Sequence, residues 1–245
     1  MATALHSGHY IRTEIAQIMA LDEAIRLREE DPYTDEIAEV VGNRIIPLRS
    51  RFEVDLNRPR EKSIYLSPED AWGLDVWQQP PSKNMIEQSL KEYDKFYLEA
   101  FQQLKQLEKL YGHFVVFDLH SYNHYREGPK SPAADPDNNP DVNIGTGTMN
   151  RKKWAPLVER FITDLSAYNY KGRHLDVREN IKFLGRQFAT WVHTNFPETG
   201  CVLSIEFKKI FMDEWTGALN TYNLLGLYYA LKSTLPGIAE GLKRM

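Results

Sequence analysis

Residues 113–125, HFVVFDLHSYNHY, constrain this chain more than any other stretch. The apolar run Phe114-Val115-Val116-Phe117 is too short for a helix, and it follows a long amphipathic pattern closed by Gly112. Such a run reads as a buried central strand. At its end the chain turns sharply polar, through Asp118, His120, Ser121, Asn123 and His124. Ligands of open α/β sheets sit at strand ends, and a histidine delivered there by a stiff strand is held accurately enough to bind a metal. His120 is therefore the first candidate for chemistry.

The rest of the chain supplies strands and helices in alternation. Residues 2–5 read as a short strand ending at His6. Apolar positions in 12–30 fit a helix or two short ones, DPYTDE marks a turn, and 37–41 fit a short helix. RIIPL at 44–48 reads as an edge strand, and 51–56 alternate enough to be another. Ser67-Pro68-Glu69-Asp70 has the capping serine, proline and acids of a helix start. The clearest helix spans 82–111, where Leu90, Tyr93, Phe96, Tyr97, Phe101, Leu104, Leu107 and Leu110 recur every three or four positions. Helices are also expected over 154–165, 177–191 and 216–232, the last exiting at LPG, with a buried strand over 201–205. The expected fold class is α/β, a three-layer sandwich with helices on both faces of a mostly parallel or mixed sheet. The pattern is continuous with one core, so 1–245 read as a single catalytic domain. Residues 126–148, rich in Pro, Gly, Asp and Asn, form a long loop directly after the candidate site, the usual place for a lid or binding loop.

Composition excludes several classes. A net charge of −4, a pI near 6.0 and no dense Lys/Arg tract leave no footprint for nucleic acid. The single cysteine, Cys201, rules out an internal disulfide framework and sits in an apolar run, as inert core would. No apolar stretch approaches membrane-spanning length, and no signal-peptide pattern opens the chain. The expectation is a cytoplasmic protein without a membrane partner, its oligomeric state left open.

Three polar clusters fall at expected strand ends. His6-Ser7-Gly8-His9 is a His-x-x-His pair, and with the distant His120 it gives two close donors and one remote, a familiar way to build a catalytic zinc site. Each imidazole then needs an acceptor on its other nitrogen, for which Asp118, Asp55 and Asp213 are available. On spacing alone, lone surface histidines remain the alternative. Asn57-Arg58 after Asp55 can clamp a carboxylate with a rigid fork and a neutral donor, or Arg58 can simply pair with a structural acid. Glu206, ending Val202-Leu203-Ser204-Ile205, can have its pKa raised by burial and act as a general base, or can mark a solvated edge beside Lys208-Lys209.

Taken together, His6-Ser7-Gly8, Arg51 with Val54-Asp55-Leu56-Asn57-Arg58, Asp118-Leu119-His120-Ser121, residues 176–185, and Ser204-Ile205-Glu206 through Asp213-Glu214 resemble the N-formylglutamate amidohydrolase family. That family is similar in fold and site to zinc carboxypeptidases and aspartoacylase-type deacylases. The segments run in the right order over nearly the whole chain. The resemblance implies a phosphorylase/hydrolase-like, zinc-carboxypeptidase-like architecture. It implies Zn2+ held by His6, His9 and His120, although His9 stands where the carboxypeptidase-like pattern has a glutamate. It makes Asn57 and Arg58 receivers of the substrate carboxylate, with Arg58 also polarising the scissile carbonyl. Glu206 becomes the residue that activates water and protonates the leaving nitrogen. Arg186 replaces the second glycine of an expected pair and is available to read a carboxylate, while Tyr125 and Arg126 can reach in from the base of the loop. The implied substrate is a small carboxylate-bearing amide, an N-formyl or other N-acyl acidic amino acid. Two rivals remain: a carboxypeptidase-like hydrolase of short peptides, which needs an open cleft, and a non-catalytic binding protein of the same fold.

Overall fold

The computed structural model describes residues 1–245. Its centre is a six-stranded mixed sheet built around two long neighbours. In chain order the elements are β1 (Ala2–Thr3), α1 (Thr13–Ala16), α2 (Glu23–Glu29), α3 (Thr34–Ile37), β2 (Arg44–Ile45), α4 (Lys83–Tyr111), β3 (Phe114–Tyr122), β4 (Val142–Gly145), α5 (Ala155–Ala167), a small hairpin of β5 (Asn169–Tyr170) and β6 (Arg173–His174), β7 (Val177–Glu179), α6 (Gln187–Asn195), β8 (Gly200–Lys208), α7 (Thr221–Ser233) and α8 (Leu235–Lys243). The sheet order is β2-β1-β3-β8-β4-β7. β1, β2, β3 and β8 run parallel, β4 runs antiparallel to β8, and β7 is parallel to β4.

Both central strands are buried on both faces, which is why their sequences read as nearly continuous apolar runs. Val115, Phe117 and Leu119 of β3, with Cys201, Leu203, Ile205 and Phe207 of β8, pack under α3, α5, α7 and α8. Phe114, Val116 and Val202 point the other way, against Tyr93, Phe96, Tyr97 and Ala100 of α4 and Phe188, Ala189 and Val192 of α6. The period of two also decides where the polar residues go. Asp118 and His120 continue the α4/α6 face of β3, and Ser204 and Glu206 continue the same face of β8. The site thus forms at the carboxyl end of the two central strands.

Several expectations need correction. Residues 51–56 form turns rather than a strand, because Glu53 and Val54 N–H both bond Ser50 O and the Asp55 carboxylate gathers the side chains of Arg51 and Tyr65. The helix expected over 177–191 splits: Val177–Glu179 pair with β4, Asn180 and Gly185 take positive φ of 56° and 96°, and helix begins only at Gln187. The helix start at Ser67 makes its capping box but yields only the 3-10 turn Pro68–Ala71 before Trp72 turns left-handed. The segment 126–148 contains β4, so its irregular part ends near Asp141. LPG at 235–237 opens α8, with proline in its first turn, instead of ending the chain's helices. No helix is long and apolar enough to cross a membrane.

Candidate metal centre and the pocket around it

Three donor side chains converge at the head of the sheet: His6, Asp31 and His120, all buried. His6 leaves the tip of β1, His120 the end of β3, and Asp31 the link that follows α2. Asp31 Oδ2 lies 3.3 Å from His6 Nδ1 and 3.0 Å from His120 Nδ1. A tetrahedral zinc with bonds of about 2.0–2.1 Å places its donor atoms about 3.3 Å apart, so both of these separations suit edges of such a site.

The far side of each imidazole is anchored. His6 Nε2 lies 2.7 Å from Asp55 Oδ1, and His120 Nε2 lies 3.2 Å from both Asp118 Oδ1 and Asn57 Nδ2. Carboxylates in that position fix tautomer and ring orientation and leave Nδ1 free for a metal. The anchors are themselves held: Asp55 by Arg51 Nη2 at 2.9 Å and by the Asn57 N–H at 2.8 Å, Asp118 by Thr3 Oγ1 at 2.9 Å. Asp118 Oδ2 is buried without a partner. Burial works against charge on His120, but Asp118, then Asp31 and Glu206, outweigh it and hold its pKa well above the usual imidazole value. Burial likewise opposes ionisation of Asp31, yet the two histidines keep its carboxyl far below the usual range. One acid facing two imidazole nitrogens is a donor set suited to a divalent cation.

The three-histidine expectation is corrected by this geometry. The turn through Ser7 and Gly8 carries His9 away from the cluster, where its Nδ1 pairs with Glu30 and its Nε2 lies 3.2 Å from Arg26 Nη2. Gly8 permits that turn because a side chain there would strike the Leu48 backbone, 2.5 Å from an ideal Cβ. The third member of the cluster is Asp31, read from the sequence only as part of a turn. Of the acids offered as imidazole partners, Asp55 and Asp118 serve, whereas Asp213 accepts from the backbone N–H groups of Trp215 and Thr216 in an outer turn.

Glu206 faces the same pocket from β8. It is 8% exposed, and burial pushes its carboxyl up to about 7, with His120 and Arg186 opposing and Asp31 and Asp118 assisting. The pocket has a cavity volume of about 80 Å3 and is lined mainly by polar and charged side chains, with Trp72, Tyr122 and Phe183 as its apolar members. Its cations are Arg28, Arg51, Arg126, Arg186 and Lys209. Arg28 and Arg126 pair with Glu29, and Arg51 pairs with Asp55 and stacks over Trp72 at 4.7 Å. Arg186, exposed at the start of α6, lines the pocket without an ion pair.

Asn57 lines the pocket and orients it twice, since its Oδ1 accepts from Phe188 N–H at 3.0 Å while its Nδ2 meets His120. Arg58 does not line it. Its Nη2 donates to Asp70 O at 2.5 Å, and its guanidinium lies 4.6 Å over the Tyr65 ring, so the pocket arginine from this segment is Arg51. Tyr125 also lies outside, its N–H bonded to Glu214 and its ring packed on His124. Arg126 lines the pocket. Arg28, Glu29, Trp72 and Lys209 carried no signal in the sequence.

With the geometry in hand, the comparisons are decisive on kinship. The family model of N-formylglutamate amidohydrolase matches residues 2–212. The chain belongs to that family. Among solved structures, it is similar to N-formylglutamate amidohydrolase from Ralstonia eutropha JMP134, at a TM-score of 0.77 and 16% identity over 99% of this chain and 93% of that one. It is also similar to a gene product of Agrobacterium tumefaciens, at 0.68 and 14% identity over 98% and 90%. At such identities the likeness speaks for the fold. No curated protein matches the chain.

Proposed function

We propose that this member of the family is a zinc-dependent amidohydrolase that cleaves the amide of a small N-acylated, carboxylate-bearing amino acid, an N-formyl acidic one first among them. The observation that carries the reading is the pairing of a His6-Asp31-His120 donor set with Glu206, a buried carboxylate whose pKa lies near neutrality. Two neutral imidazoles and one carboxylate leave a fourth position open, the arrangement of catalytic rather than structural zinc.

When bound, zinc supplies Lewis acidity to the scissile carbonyl and to the attacking water. The protein does the rest. Glu206 takes the proton of the attacking water and returns it to the leaving nitrogen, a double duty suited to a pKa close to the working pH. Arg51, held by Asp55, Tyr65 and the Glu29 carbonyl, lines the pocket and adds positive charge near the carbonyl oxygen as negative charge develops there. Arg186 and Arg126 hold the substrate carboxylate at the mouth, and Asn57 keeps His120 in register with α6. Trp72 and Phe183 narrow the pocket around a small substrate. The small, charge-lined pocket favours an amino-acid derivative over the peptides of a carboxypeptidase-like enzyme, and the poised Glu206 favours turnover over binding alone. The mixed α/β sheet is compatible with the zinc-carboxypeptidase-like architecture and with one catalytic domain over 1–245.

Elemental analysis of the purified protein, followed by a screen of N-formyl and N-acetyl amino acids, tests the reading. Stoichiometric zinc with hydrolysis of acidic N-acyl substrates is the expected result. A protein that takes up no zinc, or binds these amides without cleaving them, would overturn it.

A further inference from the structure

Lys209 is the most deeply buried cation of the molecule, 1% exposed, and neither the metal centre nor the proposed proton transfers use it. It follows directly on β8, three residues after Glu206, and its backbone N–H donates to Tyr122 O at 3.0 Å, tying it to the end of β3. Its ammonium donates to Arg28 O at 2.6 Å and to Glu30 O at 2.7 Å. Arg28 O belongs to the last turn of α2, where carbonyls lack partners within the helix and the helix dipole favours a cation. Such a cap would be unremarkable on a surface. Here it is enclosed, and the second carbonyl has a particular neighbour.

Glu30 O is one end of the Glu30–Asp31 peptide unit. The other end, the Asp31 N–H, donates to His6 O at 2.9 Å. The peptide plane that delivers Asp31 is therefore held at both poles, by Lys209 on its oxygen and by the backbone of His6 on its nitrogen. A peptide group is planar, so fixing both poles sets the plane and places the Asp31 Cα from which the side chain departs. That side chain is the carboxylate lying 3.0–3.3 Å from the two imidazole nitrogens.

We propose that Lys209 is a positioning residue for Asp31: it clamps the Glu30–Asp31 peptide so that the third donor meets His6 and His120 without reorganising. The inference rests on the metal reading above. It gives the strand bearing Glu206 a second task, since one short stretch of chain then sets both the proton carrier and the acidic donor.

Lys209→Met and Lys209→Gln, the latter keeping an N–H donor, test this without substrate. Zinc affinity of the apo-protein is measured by chelator competition, the absorption bands of the Co2+-substituted protein report donor geometry, and each variant's unfolding is followed alongside. The expected result is zinc binding about 10–100-fold weaker in Lys209→Met, as for other residues that orient metal donors, with shifted Co2+ bands and partial recovery in Lys209→Gln. In an Asp31→Asn background the same substitution should change zinc affinity little, because coupled residues fail to add. A folded Lys209→Met with wild-type zinc affinity overturns the assignment, as does an undiminished effect in the Asp31→Asn background. Should Lys209→Met fail to fold, Lys209→Gln carries the same comparison. A wild-type protein that binds no zinc overturns the metal reading instead, which is a distinguishable outcome.

Discussion

His120 and Glu206 are register partners on the two central parallel strands, so the candidate metal donor and the candidate proton carrier leave the sheet side by side. Neighbouring residues of parallel strands point to the same face, and here that face is roofed by α4 and α6. Burial at the end of that strand raises the pKa of Glu206, with Asp31 and Asp118 near enough to add to the effect. The register also makes the two functions separable.

Glu206→Gln should therefore keep its zinc and lose turnover. The amide preserves the shape of the side chain but can neither take nor return a proton, and general acid–base catalysis contributes about 10^2–10^4-fold. A fall in kcat of about that size at unchanged metal content is expected. Lost metal with lost activity would place Glu206 among the donors.

The donor set makes an opposite prediction for two neighbours in sequence. His6→Ala, Asp31→Ala and His120→Ala should each strip the metal from the purified protein, whereas His9→Ala should retain it. The His9 ring is engaged by Glu30 and Arg26 on the outer side of the turn. Metal content by elemental analysis separates the sets, and a His9→Ala protein without metal would restore the three-histidine arrangement.

Arg186 and Arg58 divide in the same way. Arg186 has no protein partner to lose, so Arg186→Ala should leave stability nearly unchanged and raise KM by about 10-fold or more, the signature of lost ground-state binding. Arg58→Ala should cost about 1–3 kcal/mol of stability, because it removes a charged donor from Asp70 O and a stack on Tyr65. Kinetics and urea unfolding on the two variants decide it. A KM effect from Arg58 with none from Arg186 would reverse their roles.

How much of this was legible in the sequence depends on what each signal encodes. β3, β8 and α4 were legible because burial writes a continuous or periodic apolar pattern. The polar positions His120 and Glu206 stood out because they interrupt the apolar runs of β3 and β8, whereas His6 and Asn57 were marked only by the polar clusters they belong to. Asp31 was not: a donor set after a seven-residue helix looks like any turn aspartate, and only the fold brings it to His120, 89 residues away. Residues 51–56 misled for a related reason, since a buried polar network that pins a turn can alternate apolar and polar residues as a strand does. Arg51 and Arg58, both basic and seven positions apart, differ only in what surrounds them. Both reach Asp55 and Tyr65, but tertiary context brings Arg51 to the pocket lining and ties Arg58 to the Asp70 carbonyl.

His193 supplies a prediction independent of catalysis. It lies on α6, where its Nε2 accepts the Val202 N–H of β8 at 3.0 Å and its Nδ1 lies 2.9 Å from Thr148 Oγ1. Burial lowers its pKa to about 4, against about 6.5 for an unfolded histidine. Between those values the unfolded chain binds the proton and the native protein does not, so stability rises with pH across that window. This contribution is complete above about pH 6.5 and is progressively lost on acidification toward about pH 4; about 2.5 pKa units correspond to about 3 kcal/mol at most. The physical cause is plain: a proton on Nε2 would remove the acceptor that β8 uses where β4 does not cover its edge. His193→Gln cannot titrate, and it should be less stable than wild type at pH 7 with the difference shrinking by pH 4.5. Urea unfolding of both proteins at the two pH values reads this directly, and parallel pH profiles would show that His193 does not carry the acid sensitivity.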